Sequence, residues 1–86
     1  MKETERILKA LANGRRLAIL QQLKKVHEKN VGSIARGIHL SIKSTSHHLA
    51  ILSAAKLVEK EQRDKEVFYR LANLLKTFVH QILNEP

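Results

Sequence analysis

The hydrophobic residues of this chain change their spacing near residue 57, and the two patterns predict two kinds of structure. Before that point, apolar residues recur every three or four positions, which is the period of one face of an α-helix. After it, Val67, Tyr69 and Leu71 alternate with polar residues, which is the period of a strand with one buried face. The last segment returns to the helical period. The sequence therefore predicts a mainly α-helical domain that contains one small β-hairpin.

Five helices are predicted, over residues of about 4–13, 15–28, 31–38, 41–52 and 73–85. Asn13 and Gly14 both tolerate the left-handed conformation, so they predict the end of the first helix. Asn30 and Ser41 have side chains that accept hydrogen bonds from free amides, so they are predicted to cap the third and fourth helices. Only His39 and Leu40 separate the third helix from Ser41. Two short helices joined in this way predict a helix-turn-helix.

The segment from Ser41 to Leu52 has one inward and one outward face. Thr45, Leu49 and Leu52 are spaced by four and three residues, which places them on the inward side of a helix. The outward side chains are small, polar or cationic, and such groups can contact phosphates and base edges. They are Lys43, Ser44, Ser46 and His47. This pattern is typical of a helix that enters the major groove of DNA.

The predicted hairpin pairs residues 57–62 with residues 66–71 through the charged turn Arg63-Asp64-Lys65. A basic turn of this kind is either a solvated loop or a contact to the DNA backbone. Its position directly after the candidate recognition helix favours the second interpretation. The predicted order of elements, α1-α2-α3-α4-β-β-α5, is that of a winged helix-turn-helix.

Composition limits the possible functions. The chain of 86 residues has 16 Lys and Arg against eight Asp and Glu, a net charge of +8, which favours a polyanionic partner. It has no cysteine and a single aspartate, Asp64, so thiolate chemistry is excluded and no catalytic constellation is evident. Three aromatic residues are too few for a platform that stacks single-stranded bases. We therefore predict a non-enzymatic protein that binds double-stranded DNA.

The first and last helices carry more apolar surface than the core of a small monomer needs. The last predicted helix, residues 73–85, contains three apolar pairs four residues apart. This excess predicts a homodimer interface, although both helices could instead complete the core of a monomer. The predicted interface residues are Ile7, Leu8, Leu11, Leu75, Phe78, Val79 and Ile82.

Several segments of the sequence resemble the ArsR/SmtB family of winged helix-turn-helix repressors. They lie in the expected order across nearly the whole chain: residues 8–13 (LKALAN), 16–20 (RLAIL), 40–41 (LS), 46–52 (SHHLAIL), 55–58 (AKLV) and 67–71 (VFYRL). The resemblance implies a cytoplasmic homodimer, joined through its first and last helices, that binds an imperfect inverted repeat and releases it when an effector arrives. The identity of an effector is not implied.

On this basis one set of residues is predicted to contact DNA. The recognition helix would present its side chains to bases, and the hairpin turn would contact the flanking backbone. Arg15 or Arg16 would add a phosphate contact. The predicted set is Ile42, Lys43, Ser44, Ser46, His47, Arg63 and Lys65.

The sequence departs from the family pattern at five positions. Asn30 and Gly32 stand where metal sensors of the family often have a Cys-x-Cys pair. Ile42 replaces a frequent glutamine and could instead touch a thymine methyl group. His39 and Lys56 stand where glycine is usual at turns, which predicts positive φ angles or altered turns there.

No metal site or cofactor is predicted. His47 and His48 are neighbours on a helix and point about 100° apart, so they cannot easily ligate one ion together. The weak remaining candidate is His80, two copies of which could meet across a dimer axis. Two alternatives stay open: a winged-helix module that binds another protein, and a His-based metal-responsive sensor. No membrane span or signal peptide is evident, which predicts a cytoplasmic location.

Overall fold

A computed structural model describes residues 2–73 as four helices and a three-stranded sheet. The helices are α1 (Lys2–Leu11), α2 (Gly14–Lys25), α3 (Val31–Ile38) and α4 (Ile42–Ala54). The strands are β1 (Lys29–Asn30), β2 (Val58–Arg63) and β3 (Glu66–Leu71). The predicted fifth helix begins at the end of this range. Leu75, Phe78, Val79, His80 and Ile82 therefore lie outside the described residues.

Side chains cap the starts of α2, α3 and α4. The Oδ1 atom of Asn30 accepts from the amide of Ser33 at 2.8 Å, and Ser41 Oγ accepts from the amide of Ser44 at 3.1 Å, so both predicted caps are confirmed. The predicted end of the first helix at Asn13 and Gly14 is confirmed, since α1 ends at Leu11, but neither residue takes the left-handed conformation, and Asn13 caps the next helix instead. Its backbone is extended, at φ −158°, and its Oδ1 accepts from the amide of Arg16 at 3.1 Å, so it begins α2. Asparagine serves both roles, and here the free amides of the following helix bind its side chain.

Two of the turns rest on residues in the left-handed conformation. His39 ends α3 with φ 57°, and Lys56 follows α4 with φ 61°, so both predicted positive φ angles are confirmed. His39 and Leu40 donate their amides to carbonyls of the last turn of α3. This closes α3 abruptly and allows α4 to begin at Ile42, which produces the predicted helix-turn-helix.

The sheet is antiparallel, in the order β1-β3-β2. The predicted hairpin is present, and its strands pair with Arg63 opposite Glu66 and Val58 opposite Leu71. Arg63 belongs to β2 rather than to the turn, which is limited to Asp64 and Lys65, with Asp64 at φ 55°. The short β1 was not predicted, because two residues are too few to show an alternating pattern.

The core lies between the helices and one face of the sheet. Leu49 and Leu52 of α4 are fully buried, as is Leu57 before β2. Tyr69 and Leu71 of β3 cover the core from the side of the sheet. α4 therefore packs against the domain through one face only, as its spacing predicts. Within residues 2–73 no helix is long and apolar enough to span a membrane.

Thr45 is the one buried polar side chain among the residues described, and its hydroxyl oxygen has no hydrogen-bond partner there. A buried hydroxyl without a partner costs stability, because its interaction with water is lost and not replaced. Valine has nearly the same shape without the hydroxyl. We expect Thr45→Val to raise the free energy of unfolding by about 1 kcal/mol, measured by urea denaturation.

Ser46→Ala is the matched control, because it removes an exposed hydroxyl from the adjacent position of α4. We expect it to change stability by less than about 0.5 kcal/mol. A marked loss of stability in Thr45→Val would contradict the prediction and show that the hydroxyl is hydrogen-bonded in solution.

Candidate nucleic acid interface

The outward face of α4 carries the side chains that are predicted from the sequence to contact DNA. Thr45, Leu49 and Leu52 are buried on the other side, so the helix cannot rotate without exposing apolar surface. The predicted base-reading residues are all exposed: Ile42, Lys43, Ser44, Ser46 and His47. Ile42 is 58% exposed, which is unusual for a large aliphatic residue in a domain with a small core. An apolar side chain at that position is suited to contact a thymine methyl group.

The hairpin turn and the helix-turn-helix share one groove. Ser46 of α4, Lys65 of the turn and Arg36 of α3 line it. Lys65 is exposed and has neither an ion pair nor a hydrogen bond within residues 2–73. Arg36 was missed by the sequence interpretation, although a lone cation on the polar side of the first helix of a helix-turn-helix is a signal for backbone contact. Its guanidinium donates to Ser33 Oγ at 3.1 Å and is otherwise exposed.

Arg63 lies in a different environment from Lys65. Its guanidinium is hydrogen-bonded and ion-paired with Glu28, lies 3.9 Å from a Glu61 oxygen, and stacks 3.9 Å from the centroid of the Phe68 ring. The hydrogen bond from Arg63 lowers the pKa of Glu28, and the same bond raises the pKa of Arg63. The charge of Arg63 is thus largely compensated within the protein, which the sequence did not indicate.

The same face of the sheet carries a second compensated arginine. Arg70 contacts Glu61 at 3.1 Å, Glu59 at 3.4 Å and Glu28 at 4.0 Å. Three carboxylates therefore surround two guanidinium groups on the sheet surface that faces away from the core. Lys43, Arg36 and Lys65 have no carboxylate partner among residues 2–73.

Arg15 and Arg16, which were predicted together, have different roles in the fold. Arg15 is exposed at the start of α2. Arg16 donates from Nε to Ala10 O at 2.7 Å and from Nη2 to Lys9 O at 3.2 Å, and its Nη1 lies 3.1 Å from Nδ1 of His48. The donors of Arg16 are thus used inside the domain, which makes Arg15 the better candidate for a phosphate contact.

His48 is half-buried, whereas His47 is exposed. Burial, followed by the charges of Arg16, His47 and Arg15, lowers the pKa of His48. A guanidinium can only donate, so the Nδ1 atom of His48 must accept the bond from Arg16. The rings of His47 and His48 have centroids 5.8 Å apart and are tilted by 58°. Within residues 2–73 there is no group of three His, Asp or Glu side chains arranged to hold a metal ion.

Comparison with known proteins agrees with this arrangement. The sequence model of a family described as "Bacterial regulatory protein, arsR family" matches residues 13–60, which is more than half of the chain. The chain is 39% identical over 67 residues to the HTH-type transcriptional repressor SmtB of Mycobacterium tuberculosis, covering 78% of this chain and 49% of that protein. It is 40% identical over 67 residues to the transcriptional activator HlyU of Vibrio cholerae, covering 78% of this chain and 61% of HlyU.

Two solved structures are similar over most of the chain. The homodimeric winged helix-turn-helix DNA-binding domain of a Mycobacterium bovis protein superposes with a TM-score of 0.89 at 31% identity, covering 95% of this chain and 76% of that one. The structure of HlyU from Vibrio cholerae superposes with a TM-score of 0.84 at 34% identity, covering 94% and 88%. These matches confirm the predicted winged helix-turn-helix fold. The chain belongs to the arsR family of bacterial regulatory proteins.

Proposed function

We propose that this chain is a sequence-specific, double-stranded DNA-binding transcriptional regulator that acts as a homodimer on an inverted-repeat operator. The observation that carries the proposal is the exposed polar face of α4, whose orientation is set by the burial of Thr45, Leu49 and Leu52. A helix presented in this way fits the major groove of DNA. The protein groove between α4 and the hairpin turn would then lie against the adjacent DNA backbone. The family membership supports the same function.

The interface residues divide into two groups. Ile42, Lys43, Ser44, Ser46 and His47 read base edges from α4. Lys65 at the turn contacts phosphates, together with Arg36 on α3 and Arg15 on α2, because these cations have no carboxylate partner within the described residues. Arg63 contributes less, because Glu28 already compensates its charge. Phosphate contacts of this kind supply affinity, and the base contacts supply specificity.

The dimer is proposed to form through α1 and the segment after residue 73. Leu8 is 60% exposed on α1, and Ile7 and Leu11 are only partly buried beside the core. Such a surface favours a self-complementary contact. The similar Mycobacterium bovis domain is homodimeric. Two recognition helices related by a two-fold axis need half-sites about one turn of DNA apart, which explains an inverted repeat.

Repression follows when the bound dimer occupies a promoter. The matched relatives include a repressor, SmtB, and an activator, HlyU. The chain spans only 49% of SmtB and 61% of HlyU. The same operator contact blocks or assists transcription according to its position. We propose the repressor role, a cytoplasmic location and no enzymatic activity. No residue of the described chain favours the protein-binding or the metal-responsive alternative.

The proposal is tested by titrating the purified protein into a fluorescent duplex taken from the DNA upstream of its own coding region, with a scrambled duplex as control, at two salt concentrations. We expect tight binding to the upstream duplex alone, with two chains per site. Equal, salt-sensitive binding to both duplexes would contradict sequence-specific regulation at this site. Absence of binding to either duplex at low salt would overturn the DNA-binding function.

A pair of substitutions distinguishes the contribution of Lys65, in the hairpin turn, from that of Arg63, at the end of β2. We expect Lys65→Ala to weaken binding to all duplexes alike and to reduce the slope of log affinity against log salt by about 1, because one phosphate contact is lost. Arg63→Ala should reduce the slope by less, because Glu28 holds its guanidinium. Fluorescence titrations at four salt concentrations measure both slopes.

Lys56→Asn is the control for the loss of one positive charge. Lys56 follows the last turn of α4, about 18 Å along the helix axis from Ile42, and asparagine tolerates its positive φ angle. Lys56→Asn should leave the slope of log affinity against log salt unchanged. Equal decreases in Lys65→Ala and Arg63→Ala would show that Arg63 leaves Glu28 when DNA binds.

His47 is expected to read bases rather than phosphates. We expect His47→Ala to reduce the ratio of operator to scrambled-duplex affinity by about tenfold, which corresponds to the loss of one base contact of ~1–3 kcal/mol. Its salt slope at pH 7.5 should stay close to that of the wild type. A lower slope with an unchanged affinity ratio would assign His47 to the backbone instead.

A further inference from the structure

One side chain joins three helices near the candidate interface. Arg16 belongs to the first turn of α2, bonds to the carbonyls of Lys9 and Ala10 at the end of α1, and reaches Nδ1 of His48 on α4. Its distances to these three acceptors are 3.2, 2.7 and 3.1 Å, in that order. A planar guanidinium with donors in fixed directions holds its partners in one relative orientation.

The contact with α1 has its own physical basis. Lys9 and Ala10 lie in the last turn of α1, where backbone carbonyls are left without partners from the helix itself, and the Lys9 carbonyl also accepts from the amide of Ala12 at 3.3 Å. A cation at the C-terminal end of a helix also interacts favourably with the helix dipole. Arg16 therefore binds the end of α1 through both effects, and α1 is the helix that the proposed dimer uses.

The contact with α4 lies next to the base-reading surface. His48 follows His47, and Ser46 precedes it by two residues, so a displacement at His48 moves side chains of the exposed face. His48 can accept the bond from Arg16 only while its ring is neutral, since both ring nitrogens of a protonated histidine are donors. Protonation would also place two positive charges about 3 Å apart.

We propose that Arg16 is a positioning residue that holds the recognition helix against α1, and that proton uptake by His48 releases the helix and weakens DNA binding. The inference rests on the proposed function. It assigns to Arg16 a role inside the domain, in place of the phosphate contact that the sequence suggested, and it links the dimer helix to the helix that reads bases.

The surroundings of His48 determine the direction of the pH dependence. Arg15 and Arg16 face it from α2, and His47 lies beside it on α4; among the described residues, no carboxylate contributes to its electrostatic environment. Burial and then these positive groups lower its pKa. In the unfolded chain, His48 takes up a proton near its ordinary value of about 6.5. The folded state therefore loses stability as the pH falls below that value towards the lower pKa of the folded protein.

The test compares His48→Gln with the wild type. The Oε1 atom of glutamine can accept a bond from Arg16 but does not titrate, so this variant should bind the operator duplex as the wild type does at pH 7.5. Between pH 7.5 and pH 5.5, the affinity of the wild type should fall about fivefold relative to that of His48→Gln. The other titratable groups are the same in both proteins, so their contributions cancel in the ratio.

Two further variants test the role of the bond itself. His48→Leu removes the acceptor and should weaken binding about fivefold at pH 7.5, with an unchanged salt slope. Arg16→Gln should weaken it five- to tenfold, also without a change in slope, since no phosphate contact is lost. Arg15→Gln is the matched control and should lower the slope by about 1 and keep the pH response of the wild type.

The outcomes separate this inference from the proposed function. Equal pH responses of the wild type and His48→Gln, or a slope in Arg16→Gln that falls as in Arg15→Gln, would overturn the inference while DNA binding stands. Failure of the wild type to bind duplex at either pH would overturn both. Thermal unfolding of each variant at both pH values shows whether it is folded, and the wild type should lose stability relative to His48→Gln at pH 5.5.

Discussion

The burial of one face of α4 fixes which side chains this helix presents to a ligand. Leu49 and Leu52 are fully buried in the core. Thr45 is buried beside them, although its hydroxyl has no hydrogen-bond partner among the described residues. Each buried leucine stabilises the packed position by roughly 1.5–3 kcal/mol, so a rotation of the helix would be costly. The polar and cationic residues of the opposite face are consequently held outward in a fixed orientation.

Charge is distributed over the domain in two distinct ways. On the outer face of the sheet, Glu28, Glu59 and Glu61 compensate Arg63 and Arg70, and this part of the hairpin is close to neutral. On the helix-turn-helix, Arg36 and Lys43 have no such carboxylate partner within residues 2–73. Arg36 and Lys65 line the same groove as Ser46 of α4, and their uncompensated charge favours a polyanionic partner there. Within the hairpin, Lys65 at the turn has no carboxylate partner among the described residues, whereas Arg63 and Arg70 in the strands are held by ion pairs.

Arginine residues in this chain illustrate how the same side chain takes different roles. Arg15 and Arg16 are neighbours, yet α2 directs one to solvent and the other to the carbonyls of α1 and the ring of His48. Arg63 and Lys65 are two residues apart, yet only the arginine reaches Glu28. In both cases the position of a distant partner determines which cation remains available to DNA.

The features that could be predicted from the sequence depend on neighbours close along the chain. Asn30 and Ser41 cap helices through amides three residues away, the inward face of α4 follows from spacings of three and four, and the hairpin follows from an alternation of two. Asn13 shows the limit of such signals, because one side chain suits the end of one helix and the start of the next. Glu28 lies 35 residues from Arg63, and His48 lies 32 residues from Arg16 in the sequence. No local pattern encodes those separations, so the identity of the compensated cations emerged only when the helices and the sheet packed together.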